Sequence, residues 1–421
     1  MVVAGMVIVA DWIASQEHVI LSQHRSLAAR GDFGSRTSLA AHAHGLTGEA
    51  PVLLEEAGLG QALLRRGTFA ELFPEIARPF GLQESVEAGL AGMVDGPGIV
   101  LVTAPTGEGK TETALYAASL LGAACEANGL FFALPTQATA NQMYGRLVRF
   151  AEGNLLASAG LALVHGAADL HEPYSEPRVL SEPEGTGPKG EVCVEASRWL
   201  RGRGRGVLAP LAVGTIDQAL MGVLPLKRNA LRHLGLSGKT VIVDEAHAFD
   251  AYTHALLVRL LEWLGALGVP VVLLSATLTG ETARGLVQAY LAGADPRASR
   301  REVPTPAYPG WLFASARSGR VIAPATPVRS ERERDLHVEV RPVTHTYDPA
   351  CRDGRLAVLL EVLDGVVAGG GCVAVICTTV AEAQRTYQAL RTHWRMRFGE
   401  EYAGWDDASA QDRLSEDPRA G

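Results

Sequence analysis

From about residue 80 the chain alternates short runs of apolar, often β-branched residues with longer amphipathic stretches. A strand buried on both faces reads as a continuous apolar run, so this alternation predicts a parallel sheet covered by helices on both sides. The expected strands are residues 99–102, 130–134, 207–212, 240–243 and 271–274, and residues 113–127 carry the Ala and Leu of a helix. Residues 1–15 have helical length and are apolar on nearly every side, as in a helix buried within a larger domain. The stretch from there to about residue 60, with Gly31, Gly34, Gly45 and Gly48 among polar residues, reads as loop with short helices. Residues 172–190, rich in Pro, Gly and Glu, are expected to be irregular. Residues 304–327 are dense in Pro and small residues and read as a linker. The alternation restarts with strands at 336–340 and 373–377 around a helix at 356–367, and an acidic tail follows. No solenoid or propeller repeat is present.

Length and composition describe an ordinary globular protein of two or three domains, with 421 residues, 47% apolar and 20% charged. The net charge of -8 excludes a generally basic surface, so any nucleic-acid site is a local groove. The five cysteines, Cys125, Cys193, Cys351, Cys372 and Cys377, form no C-x-x-C pair. That argues against structural zinc and a disulfide framework and for a reducing, cytoplasmic location. The apolar N-terminal run has no basic leader and is cut by Asp11, so no signal peptide, membrane span or membrane partner is expected.

The chemistry concentrates where apolar strands end. Between the strand at 99–102 and its following helix lies Ala-Pro-Thr-Gly-Glu-Gly-Lys-Thr, from Ala104 to Thr111. Glycines let the backbone fold around an anion with its N–H groups inward, lysine reaches the outer phosphates, and a threonine hydroxyl can hold Mg²⁺. Thr106, Gly107, Glu108, Gly109, Lys110 and Thr111 are therefore the candidate nucleotide cradle. The general P-loop pattern asks for Gly where Ala104 stands, and a dinucleotide fingerprint would need Gly at Glu112. Asp244-Glu245-Ala246-His247 follows the run at 241–243, which puts two carboxylates at the carboxyl end of a buried strand, where α/β sheets bind ligands. Asp244 can hold Mg²⁺ against the phosphates and Glu245 can polarise water, whereas an exposed acidic turn is the alternative for such a pair alone. Ser275 and Thr277, after the strand at 271–274, can relay the state of a γ-phosphate to His247. Thr136 with Gln137, and Thr215, stand at strand ends where a polynucleotide could cross, with helix capping as the competing reading. Arg201, Arg203 and Arg205 form a basic turn that could touch a backbone or be a solvated loop.

Gln83, the Ala-x-x-Gly-x-Gly-Lys-Thr segment, Pro135-Thr136-Gln137, residues 213–218, the D-E-A-H box and Ser275-Ala276-Thr277 occur in the order of a superfamily 2 DEAH-type helicase. Residues 213–220 (VGTIDQAL), 241–252 (VIVDEAHAFDAY) and 271–278 (VVLLSATL) more closely resemble the CRISPR-associated helicase-nuclease of type I systems. The resemblance covers residues 78–293 well and 373–390 loosely. It implies an α/β fold: a RecA-like parallel sheet flanked by helices at 61–303, a linker at 304–335, a partial second RecA-like lobe at 336–395 and a disordered tail at 396–421. Residues 1–60 would be the short helical remnant of an HD-type nuclease domain with its connector.

The implied activity is ATP- and Mg-dependent translocation along single-stranded DNA, recruited by an RNA-guided surveillance complex. By position Gln83 would read adenine, Thr378 with Thr379 would contact DNA, and Asp11 would be the last metal ligand of the nuclease. A divalent transition metal is expected only in an intact nuclease domain. The remaining nuclease ligands and the arginine-bearing motif of the second lobe are not found, so the chain reads as a fragment whose ATP turnover is impaired. A separate chain supplying the missing segments is then a further expected partner. The competing readings are a non-catalytic module that binds nucleotide and nucleic acid, and another superfamily 2 ATPase.

Overall fold

A computed structural model describes residues 1–30, 36–168, 171, 174, 194–195, 197–202, 204–247, 249–297, 302–324, 326–330, 335, 337–346, 351–352, 354–369 and 373–398. Arg203 and nearly all of 172–190 lie outside them, as does the tail. The chain divides into two units, Met1–Glu333 and Arg334–Gly421.

The first unit is built on one mixed sheet. Its strands are β1 (Gly98–Thr103), β2 (Leu130–Leu134), β3 (Ala159–Val164), β4 (Val194–Glu195), β5 (Leu211–Thr215), β6 (Thr240–Val243), β7 (Val271–Ser275), β8 (Gly310–Ser315) and β9 (Val321–Ile322). Their order is β4-β3-β5-β2-β6-β7-β1-β8-β9. β4 to β1 run parallel, and β8 and β9 close the edge antiparallel. Alternate residues of each strand enter two cores, as the two-residue period requires. Ile99, Leu101, Phe131, Val241, Val243, Val271 and Leu273 join one. Val100, Val102, Phe132, Ile242, Val272 and Leu274 join the other.

Helices α1 (Val2–Ala14), α2 (Glu17–Arg30), α3 (Arg36–Glu56), α4 (Phe69–Leu72) and α5 (Gly81–Leu90) precede β1. Then come α6 (Lys110–Ala124), α7 (Gln137–Asn154), α8 (Ile216–Leu220), α9 (Asn229–Leu236), α10 (Ala251–Ala266) and α11 (Gly280–Ala294). Leu82, Val86, Leu115, Tyr116 and Leu147 of α5, α6 and α7 fill one core. Leu231, Leu257, Leu264, Leu286 and Tyr290 of α9, α10 and α11 fill the other.

Several expectations need correction. The strand expected at 207–212 is a short 3₁₀ turn at Gly206–Leu208 followed by β5, because Pro210 interrupts the run and the ladder with β2 starts at Leu211. The segment 304–335, read as a linker, contributes β8 and β9, and its Trp311, Leu312 and Phe313 are buried against β1. The loop expected before residue 60 is helical in α2 and α3, with Gly45, Gly48 and Pro51 accommodated on an exposed helix. The N-terminal helix is buried on one side only: Gly5, Val9 and Ile13 pack inward while Met1, Val3, Met6 and Val7 are exposed. Among the described residues no single helix is long and apolar enough to cross a membrane.

In the second unit α12 (Arg355–Gly369) and α13 (Val380–Phe398) pack through Leu356, Leu363 and Leu390. The strands expected at 336–340 and 373–377 are not formed among the described residues. No neighbouring strand there supplies a hydrogen-bond ladder, and Val340 and Ile376 stand 88% and 90% exposed.

Two features of the first unit give measurable consequences. α10 and α11 touch through glycines: a Cβ on Gly293 would stand 1.9 Å from the Glu262 carbonyl oxygen and one on Gly265 2.0 Å from that of Tyr290. Gly293→Val should therefore cost about 2–4 kcal/mol in urea unfolding, and a loss within ~0.5 kcal/mol would contradict this packing. Lys239 is buried, and its Nζ donates to the carbonyls of Val207 and Ala209 at 2.7 and 2.5 Å. Burial pulls its pKa down to about 7. Between that value and the ordinary lysine range the unfolded chain binds the extra proton, so this group makes stability rise with pH by up to about 1.4 kcal/mol per unit. Comparing wild type with Lys239→Met between pH 7 and 9 should show this slope lost in the variant, and parallel curves would refute it.

Candidate nucleotide site

Parallel pairing decides which residues meet. β1 lies beside β7 with Thr103 opposite Ser275, and β7 lies beside β6 with Leu273 opposite Val243. The turns after these three strands, carrying 104–109, 244–247 and 276–279, therefore leave the same sheet edge side by side. The backbone ties them together: Ala104 N–H donates to Ser275 O at 3.2 Å and Ala246 N–H to Leu274 O at 2.9 Å.

The cradle itself is held by glycine conformations. Gly107 and Gly109 have φ of 88° and 68°, in the left-handed region that glycine occupies without a Cβ penalty. Gly109 opens α6, and Thr113 Oγ1 donates to its carbonyl at 2.8 Å. Gln83 is 1% exposed and both ends of its amide are engaged with backbone. Its Nε2 donates to Gly109 O at 3.3 Å, and its Oε1 accepts from Phe80 N–H at 2.9 Å. Gln83, expected from the sequence to read adenine, thus braces the start of α5 against the start of α6.

Lys110 Nζ donates to the carbonyls of Ala104 and Pro105 at 2.9 and 3.1 Å. Burial lowers its pKa, while the charges of Glu245, Asp244 and Glu108 act to raise it. The Asp244 carboxyl is pushed up, first by burial and then by Glu245 beside it. An ammonium and two carboxylates therefore share one poorly solvated edge. Asp244 Oδ1 accepts from Glu245 N–H at 2.8 Å, and Glu245 has a φ of 53°, a strained conformation for a residue with a side chain. His247 Nδ1 lies 3.0 Å from Ser275 Oγ and 3.2 Å from Glu245 Oε2, which brings the expected coupling pair into contact. Thr277 lies in an exposed turn, as do Thr106 and Gly107, and Thr111 is half-buried in the first turn of α6.

The nucleic-acid candidates divide. Thr136 caps α7, its Oγ1 accepting from Thr139 N–H at 3.2 Å, the contact that its alternative reading as a helix cap describes. Gln137 is exposed at the next position. Thr215 ends β5 without a side-chain cap bond to α8. In the second unit Thr378 Oγ1 donates to Glu382 Oε2 at 2.7 Å, a local contact at the start of α13. Asp11 is exposed on α1, and among the described residues no cluster of three or more His, Cys, Asp or Glu could hold a metal.

No protein-family profile matches the chain. It is 40% identical over 337 residues to the CRISPR-associated endonuclease/helicase Cas3 of Thermus thermophilus, covering 78% of this chain and 33% of that protein. The crystal structure of T. fusca Cas3-ATP matches with a TM-score of 0.82 and 44% identity, over 94% of this chain and 43% of that one. The chain belongs to the Cas3 family. A chain of a CRISPR RNA-guided surveillance complex, pre-nicking, matches with a TM-score of 0.67 at 40% identity, over 94% of this chain and 39% of that one. This Cas3-family chain thus spans about a third to two fifths of these relatives' length.

Two residues at the Cas3-family site had no signal in the sequence. Tyr308 OH donates to Ala276 O at 2.8 Å, and Ser330 Oγ donates to Glu108 Oε1, whose side chain is 1% exposed. Both come from the stretch read as linker. The Thr111 hydroxyl and the Asp244 carboxylate are oxygen donors of the kind a hard cation such as Mg²⁺ takes, and its charge would also offset the half-buried Asp244 carboxylate. A Cβ on Gly109 would fall 2.1 Å from Gln83 Nε2 at a φ of 68°. Gly109→Ala should therefore weaken binding of a fluorescent ATP analogue by about tenfold or more. Adding Gln83→Ala should restore only part of that affinity, since it removes the clash and leaves the strain; full restoration would show that the backbone conformation does not matter.

Proposed function

We propose that this chain carries the nucleotide-driven motor part of a CRISPR-associated nuclease/helicase, binding Mg·ATP at the β1–β6–β7 edge and using its hydrolysis to move along single-stranded DNA. The observation that carries this reading is the register of β1, β7 and β6, which sets the loop before Lys110 beside Asp244-Glu245 and the His247–Ser275 contact. An ammonium held at lowered pKa by burial regains its charge preference when phosphates approach, so Lys110 exchanges the Ala104 and Pro105 carbonyls for a stronger acceptor. Thr111 and Asp244 would hold Mg²⁺, which supplies charge neutralisation at the phosphates. Glu245, fixed by its strained backbone and facing His247, orients the attacking water, and its change of state passes to Ser275. Gln137 and Thr215, at neighbouring strand ends, contact the polynucleotide backbone. The partner that delivers DNA is, by analogy with the relative seen in an RNA-guided complex, such a surveillance complex.

The decisive measurement is Mg·ATP hydrolysis with and without single-stranded DNA, alongside nucleotide binding. Wild type should bind nucleotide and turn it over weakly, with stimulation by DNA, in keeping with the impaired turnover expected from the sequence. Lys110→Ala should lose binding by tenfold or more, and Glu245→Gln should keep binding but lose turnover by roughly 10²-fold or more. Binding by wild type without any turnover would overturn the enzymatic reading in favour of a non-catalytic binding module.

A further inference from the structure

The strand that the sequence pattern hid, β3, places a further turn on the same edge. Val164 ends β3 opposite Gly214 of β5, and Leu134 ends β2 opposite Thr215, so residues 165–167 leave the sheet one strand beyond Thr215. Here His165 is locked from both sides. Its Nδ1 accepts from Ala167 N–H at 3.2 Å, which leaves the proton on Nε2, and Nε2–H donates to Asn141 Oδ1 at 2.8 Å. Burial and the nearby His171 hold His165 below the ordinary histidine range, in keeping with a neutral ring at pH 7.

This lock fixes the orientation of Asn141. With Oδ1 committed as acceptor, its Nδ2 group presents two N–H donors that His165 does not use. Gln137 lies four residues earlier on α7, on the same helix face, and its Nε2 is 3.9 Å from where a Cβ on Gly166 would stand. Gly166 is exposed, with backbone approachable because no side chain covers it. Behind this group Tyr144 of α7 meets Tyr174 edge-on, and the Arg201 guanidinium lies 5.1 Å from the Tyr174 ring centre. The result is a pair of neutral amides beside an exposed glycine turn. Neutral donors and bare backbone suit a phosphodiester chain, whose oxygens accept regardless of base.

We propose that Asn141, oriented by His165, and the Gly166 turn form a further backbone-contact site for a single-stranded polynucleotide, extending the track from Gln137 and Thr215 across β3. The proposal rests on the reading of that edge as a nucleic-acid track.

Binding of fluorescent oligothymidylate and oligouridylate of about twenty nucleotides, read by anisotropy with and without Asn141→Asp, tests it. The substitution keeps size and the acceptor for His165 while replacing the two donors with a carboxylate oxygen. Affinity should fall about tenfold or more, whereas Gln142→Asp, the same charge at the adjacent exposed position, should stay within about twofold of wild type. His165→Ala should weaken binding less, by about threefold, since it frees the amide to rotate without removing its donors. Retained affinity for the fluorescent ATP analogue establishes that each variant is folded. If wild type binds and Gln137→Ala weakens it, but Asn141→Asp matches Gln142→Asp, this site is refuted and the track reading stands. If wild type binds neither oligonucleotide, both fall. Equal loss for the two oligonucleotides is expected of a backbone contact, and loss with only one of them would refute a contact that ignores the sugar.

Discussion

Everything at the candidate site depends on the parallel register of the central strands. Hydrogen bonding between β6, β7 and β1 makes their carboxyl ends coincide, with Thr103 level with Ser275 and Val243 level with Leu273. Three turns far apart in sequence thereby become neighbours. The register is specified because both faces of each strand are buried, so a slip by one residue would exchange the two cores. The apolar strands that look like mere core are thus the reason Lys110, Asp244 and Ser275 share one edge.

That edge is electrostatically unfavourable until something binds. Burial lowers the Lys110 pKa and raises that of Asp244, and both directions signal a charged form held away from water. The cradle adds backbone cost: positive φ at Gly107 and Gly109 is tolerated because they are glycine, whereas positive φ at Glu245 is strain. Desolvated opposite charges, a strained carboxylate and N–H groups of a helix start form a place where a phosphate with a divalent cation relieves several costs at once. An ordinary Gly-rich turn between strand and helix carries none of these neighbouring charges.

The legible parts of the fold were those with uninterrupted apolar runs. β2 and β6 begin and end where the run does, and β1 and β7 are longer only by flanking residues. β3 was hidden because its Ala-Gly-Leu-Ala-Leu-Val is rich in small residues and borders a Pro- and Gly-rich stretch. β8 was hidden for the same reason, with prolines before it masking Trp311 and Phe313. Composition describes what flanks such a strand, while its burial depends on the partner strand, which a local window does not contain. The site divides in the same way. The order of the motifs is written in the chain, and the side chains that reach in from elsewhere, Tyr308 and Ser330, carry no motif. The backbone contacts of Gln83 and Thr136 needed geometry, since an amide or hydroxyl can serve backbone or ligand equally well on sequence grounds.

The contacts made by Gln83 and by Ser330 bear on how nucleotide could be sensed beyond the cradle. Gln83 ties the start of α5 to Gly109, and a Cβ on the first residue of α5, Gly81, would lie 2.7 Å from the Arg329 carbonyl oxygen. Ser330, the next residue, reaches Glu108 inside the cradle. The stretch ending at Ser330 is therefore braced at once against α5 and against the loop that would receive phosphates. Any movement of Glu108 or Gly109 on binding an anion must be matched by this stretch, because neither the buried carboxylate nor the buried amide can lose its partner cheaply. The segment that composition presents as a passive linker is, by its contacts, an integral wall of the candidate nucleotide cradle.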